Sequence, residues 1–160
     1  MNEGSIIQIA YVVRDLETAM RRHWEVCGIG PWDVYEFNPG NVQGMHEGGQ
    51  PVERSWRLAL AQVGEVQWEL VEPQDDDSVY ARFLAEHGPG VHHVGVGVTN
   101  YAETLAELGS RGHEVLLGGT YNGVTFSYLS TDRDLGVVTE IFDGAPGRDQ
   151  QPDAVYPPAG

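Results

Sequence analysis

The sequence is built from two similar halves, and this duplication constrains the fold more than any other feature of the chain. The run 6–13, IIQIAYVV, is β-branched and alternating, as a strand with two different faces requires. It leads through Arg14-Asp15 into Leu16, Met20, Trp24 and Cys27, apolar residues at helical spacing. Asp15 stands where a helix cap belongs, and Gly28, Gly30 and Pro31 stand where a helix must stop. The run 91–98, VHHVGVGV, starts the pattern again. Asn100-Tyr-Ala-Glu103 follows as a capping box, then Leu105 and Leu108 on a second short helix before Gly112. Each half next turns β-rich, over 32–37, 56–62 and 66–71 in the first and over 115–117, 125–130 and 137–142 in the second. Both close on similar text, Glu69-Leu-Val-Glu72-Pro73 and Glu140-Ile-Phe-Asp143-Gly144.

These signals predict an α+β domain over 1–143. It consists of two tandem βαβββ modules, 5–73 and 90–143, joined by a linker helix over 78–87 that Gly88-Pro89-Gly90 ends. The stretch 39–51, rich in Gly, Asn and Gln, reads as a long loop of the first module. The Pro- and Gly-rich stretch 144–160 reads as a flexible tail. At 160 residues and 41% hydrophobic, the chain has enough material for one real core.

Charge narrows the partners. Nine basic residues, every one of them Arg, face twenty-four acidic ones, a formal net charge of -15. Nucleic acids and anionic membranes are recognised through clustered cations, so both are excluded as expected partners, and a small molecule is expected instead. A divalent cation, by contrast, gains from the acidic balance. The single cysteine, Cys27, has no intrachain partner and reads as a small buried hydrophobe. With no signal-peptide pattern and no apolar run of membrane-spanning length, a cytoplasmic location is expected.

Alternation along the strands assigns faces. Gln8 shares one face with Ala10 and Val12, and His93 shares one with Gly95 and Gly97. His92 falls on the opposite face and reads as structural. Ala10 and Gly95 occupy matching places in the repeat and leave room beside Gln8 and His93. In the closing strands Glu69 lies with Gln67 and Val71, and Glu140 with Val138 and Phe142. A carboxylate among such apolar neighbours needs a compensating cation. The repeat therefore predicts that Gln8, Glu69, His93 and Glu140 converge, two from each module, on one positive ion.

The motifs IIQIAYVVRDLETAM, GIGPW, ELVEP, VHHVGVGV, LGSRGHEV and GVVTEIFD resemble the vicinal oxygen chelate superfamily, whose members include glyoxalase I, methylmalonyl-CoA epimerase, extradiol dioxygenases and bleomycin-resistance proteins. The resemblance covers about 6–143. It implies a curved, cup-shaped mixed sheet with helices outside, and a divalent metal held by the first and last strand of each module, here Gln8, Glu69, His93 and Glu140. Epimerases of this family usually have His at the first of these positions and Gln at the second. The Gln, Glu, His, Glu set is instead similar to that of animal-type glyoxalase I.

Three oxygen donors and one imidazole suit Zn, Mn, Co, Ni or Mg. The expected chemistry is enolisation of a small carbonyl or acyl-thioester substrate, with Glu140 as the first candidate base and Glu69 the second. With a single His at the four positions, oxygen activation at a two-His-one-carboxylate iron site is disfavoured. Trp56, Phe126 and Tyr128 are candidate pocket residues. The alternative is a non-catalytic small-molecule binding or resistance protein of the same fold. Superfamily members often pair, so a homodimer is expected.

Overall fold

A computed structural model describes residues 4–147 and 150–157. β1 (Ser5–Val12) runs into α1 (Leu16–Cys27). The Asp15 carboxylate caps this helix by accepting from the Thr18 N–H at 2.7 Å, and Gly28 ends it in the left-handed region that a side chain would resist. There follow β2 (Trp32–Phe37), β3 (Val42–Glu47), β4 (Gln50–Pro51), β5 (Trp56–Val63) and β6 (Val66–Pro73). The linker helix α2 (Val79–His87) is capped by Ser78. The second module comprises β7 (Gly90–Gly97), α3 (Tyr101–Ser110), β8 (Val115–Tyr121), β9 (Val124–Leu129), the short α4 (Asp132–Leu135) and β10 (Val138–Asp143). A last strand, β11 (Ala154–Tyr156), lies beyond it.

Among the described residues the strands form one sheet, ordered β11-β2-β5-β6-β1-β7-β10-β9-β8-β3-β4. Its centre is the antiparallel seam of β1 and β7. On each side the module's last strand lies parallel to its first, β6 beside β1 and β10 beside β7. The duplicated text thus becomes a pseudo-twofold about the seam. Outside, α1 buries Leu16 and Met20 against Trp32, Val34, Ala59, Ala61 and Leu70. Inside, an aromatic-rich core that includes Tyr35, Trp56, Phe126, Tyr128 and Phe142 fills the concave face, and Tyr80 and Leu84 of α2 join it.

Three expectations are corrected. The stretch 39–51 is not a loop: β3 pairs antiparallel with β8 of the other module, with Val42 opposite Tyr121. Gly44, at φ 61°, sits in a register shift that sends both Val42 and Met45 inward, so no period-two pattern survives to be read. This crossing brings the two ends of the sheet together, and Phe37 stacks on Tyr121 at 4.1 Å.

The second correction concerns 144–160, which is not simply a flexible tail. β11 pairs with β2, Ala154 opposite Val34, and the Asp153 carboxylate accepts from the Glu36 N–H at 2.8 Å. Residues 148–149 and 158–160 of that stretch lie outside the described residues. Third, Cys27 is exposed, because the buried stripe of α1 ends at Met20 and its last turn faces solvent.

Candidate metal centre

Strand register alone brings four distant side chains together. Ala10 stands opposite Glu69 on β6 and opposite His93 on β7. Gly95 stands opposite Gln8 on β1 and opposite Glu140 on β10. The four side chains therefore surround a pair of small residues at the centre of the seam, and all four are buried. Gly95 has to be small: a Cβ there would lie 2.8 Å from the Cβ of Gln8 and 3.1 Å from the Phe142 ring.

His93 Nε2 lies 3.1 Å from Glu140 Oε2 and 3.5 Å from Glu69 Oε1. Gln8 Nε2 donates to Glu69 Oε2 at 2.9 Å and to Gln67 Oε1 at 3.3 Å, which occupies both amide hydrogens. Gln8 Oε1 is then left buried without a hydrogen-bond partner, and so is His93 Nε2, whose approach to the carboxylates is not aligned as a hydrogen bond. Two orphaned buried atoms, both of the kind that bind cations, beside two carboxylates are costly by themselves. A divalent ion coordinated by Gln8, Glu69, His93 and Glu140 would satisfy them together, so the donor set fits the metal that the sequence implies.

The electrostatics agree. Burial favours a neutral His93, but the Glu140 carboxylate, and then Glu69, outweigh it and raise the imidazole to about 9. Burial raises Glu140 to about 7 against the opposing pull of His93. Without a metal, the centre thus holds a proton where a cation would sit. A hydroxyl chain backs this arrangement. Tyr128 stands opposite Glu140 on β9, and Tyr80 of α2 lies 2.6 Å from the Tyr128 hydroxyl. Burial pushes both phenols well up, so both stay protonated donors. Gln67, which orients Gln8, and Tyr80, which orients Tyr128, were not singled out in the sequence. Each owes its role to a neighbour brought close only by folding.

A cavity of about 50 Å³ opens beside the carboxylates. Trp56, Phe126 and Tyr128 are on its wall with Phe37, Tyr121 and Phe142, while Pro146, Gly147 and Gln150 close one side. Gln67 Nε2 donates to the Pro146 carbonyl at 3.2 Å and ties that segment to the centre. Trp68 lies off this wall, stacked on Tyr11 at 5.0 Å beside the cluster under α1. His92 departs from its expected face: it is buried beside His93, with its Nδ1 2.9 Å from the Nδ1 of His93. Elsewhere, the carboxylates of Asp15, Glu17 and Glu72 also cluster, but the Thr18 N–H, Arg57 and the Leu16 N–H engage their oxygens.

Residues 7–128 match the family model described as the glyoxalase/bleomycin resistance protein/dioxygenase superfamily. A hypothetical protein from Bacillus halodurans C-125 superposes with a TM-score of 0.69 at 19% identity, covering 92% of this chain and 99% of that one. A methylmalonyl-CoA epimerase in complex with methylmalonyl-CoA and NH4+ gives 0.65 at 23% identity, covering 88% and 94%. The methylmalonyl-CoA epimerase from Mycobacterium tuberculosis gives 0.62 at 24%, covering 88% of each chain. No curated protein matches the sequence.

Proposed function

The chain belongs to the glyoxalase/bleomycin resistance protein/dioxygenase superfamily, and on that premise we propose that it is a divalent-metal-dependent enzyme that moves a proton on the carbon beside a carbonyl, as an epimerase, isomerase or glyoxalase-type lyase. The observation that carries this reading is the pair of buried, unpartnered atoms Gln8 Oε1 and His93 Nε2 between the carboxylates of Glu69 and Glu140. The chemistry a bound cation supplies is withdrawal of electron density from a substrate oxygen, which acidifies the neighbouring C–H.

The side chains supply the rest. Gln8, its amide fixed by Glu69 and Gln67, presents Oε1 to the cation. Glu140 takes the proton once its carboxylate loosens from the cation, a carboxylate among apolar neighbours being a stronger base than one in water. Tyr128, on the cavity wall and opposite Glu140, can donate to a substrate oxygen. Glu69, across the pseudo-twofold, is placed to return a proton to the other face if the reaction inverts the carbon. The aromatic wall of Phe37, Trp56, Tyr121 and Phe126 excludes water and packs the substrate's apolar part. The solved neighbours include methylmalonyl-CoA epimerases, which keeps an acyl-thioester within the substrate class alongside small carbonyl compounds.

The test is hydrogen exchange. Zinc-, cobalt- or manganese-loaded protein is incubated with a panel of α-keto acids and acyl-thioesters in D₂O, and loss of the α-proton signal is followed. Exchange is expected with at least one member, and Glu140→Gln is expected to slow it by roughly 100-fold or more, with binding retained. The aromatic wall also favours a second reading, a non-catalytic binding protein of the same fold. Binding without exchange, and a Glu140→Gln variant indistinguishable from wild type, would establish that one instead.

A further inference from the structure

β7 carries two adjacent histidines, and a regular strand would send them to opposite faces. Here the pairing with β1 runs from Ala10 opposite His93 to Tyr11 opposite Val91, so His92 is the extra residue of a β-bulge. β1 has the corresponding irregularity. Its pairing runs from Ile6 opposite Val96 to Gln8 opposite Gly95, which leaves Ile7 as the extra residue. The repeat matches Gln8 with His93 and hence Ile7 with His92. The same backbone device thus precedes a ligand in both modules, but only one copy carries a polar side chain.

The difference follows the chemistry of the two ligands. Gln8 needs nothing from its bulged neighbour, because Glu69 and Gln67 hold both of its amide hydrogens and turn Oε1 inward. An imidazole has a further choice, namely which nitrogen carries the proton. His93 Nε2 faces the carboxylates, and its Nδ1 meets the Nδ1 of His92 at 2.9 Å, a distance at which the two atoms share one hydrogen. For Nε2 to be bare, that hydrogen must belong to His93, with His92 accepting it and carrying its own proton on Nε2. His92 is gripped in this pose by Tyr80 and Phe83 of the linker helix, with ring centroids at 5.4 and 5.2 Å. Held among these rings and buried, His92 turns its Nδ1 toward the Nδ1 of His93 rather than toward solvent.

We propose that His92 is a positioning residue that fixes the tautomer of His93, leaving Nε2 free to bind the cation. This rests on the metal-dependent reading above. Two substitutions pull a positioning role apart from a packing role. His92→Asn keeps an acceptor near the Nδ1 position and loses the ring; His92→Phe keeps the ring and loses the acceptor. Zinc affinity, read by competition with a chromophoric chelator, is expected to fall roughly ten- to a hundredfold in His92→Phe and to be largely kept in His92→Asn. The reverse ranking, or a phenylalanine variant that binds zinc like wild type, overturns the proposal.

Nitrogen-15 spectra of the metal-free wild type, titrated upward in pH until the His93 signals stop moving and the ring is neutral, give a readout independent of metal and of either variant's folding. The expected signal is a His93 protonated on Nδ1, the tautomer that free imidazole disfavours. A proton on Nε2 refutes the assignment. Should the wild type bind no zinc, the metal reading fails, and the spectra still decide the role of His92.

Discussion

At the scale of single residues, the centre depends as much on what is absent as on the ligands. Ala10 and Gly95 hold the middle of the seam, and each is flanked by two of the four candidate ligands. The two are not interchangeable. A methyl group at Gly95 meets the Cβ of Gln8 at 2.8 Å and the Phe142 ring at 3.1 Å, so something on the β1 side must shift. Gly95→Ala is therefore expected to cost about 1–3 kcal/mol in denaturant unfolding and to weaken zinc binding by displacing Gln8. Ala10→Gly is the control. It adds chain entropy worth roughly 0.5–1 kcal/mol but leaves the four side chains in register. Equal effects of the two substitutions on zinc affinity would show that the glycine is not a fitted part of the site.

At the scale of elements, β11 turns a terminal stretch into the outer edge of the sheet, and Asp153 fastens it twice. Its carboxylate accepts from Glu36, and its own N–H donates to the Val34 carbonyl at 2.8 Å. Asp153→Ala is expected to speed hydrogen exchange at the Glu36 amide while lowering global stability by no more than about 1 kcal/mol. An unchanged exchange rate would mean that the edge does not depend on this contact. The same strand shows what a sequence conceals. Helices α1, α2 and α3 were legible because their caps and stops are local text: Asp15, Ser78 and Asn100 each accept from a backbone N–H three residues on. The paired strands of each module were legible because the repeat shows each one twice. β3 and β11 were not, since β3 interrupts its own alternation at Gly44 and β11 is three residues long with a partner far away in sequence. The bulge at His92 was hidden for a related reason. It is a property of two strands' register, so parity counted along β7 alone gave His92 the wrong face.

At the scale of the whole molecule, the centre couples proton binding to metal binding. In the metal-free fold, burial and the Glu140 and Glu69 carboxylates together leave His93 at about 9, above the ordinary 6.5, while burial holds Glu140 at about 7, above 4.5. A raised pKa means that the folded state binds the proton more tightly than the unfolded chain does. Stability from the His93 proton is therefore fully present below pH 6.5 and is lost as pH climbs through about 9. For Glu140 the loss comes earlier, between 4.5 and about 7. A cation at Gln8, Glu69, His93 and Glu140 has to displace these same protons, so its affinity changes in the opposite sense, rising about tenfold per pH unit for each proton released. Other titrating groups shift the loaded and the metal-free protein alike and cancel in the difference. The gap in melting temperature between zinc-loaded and chelator-treated protein is thus expected to widen steadily from pH 6.5 to 9 and to level off beyond. A gap that stays constant across that window would mean that zinc, wherever it binds, does not take the place of the His93 proton.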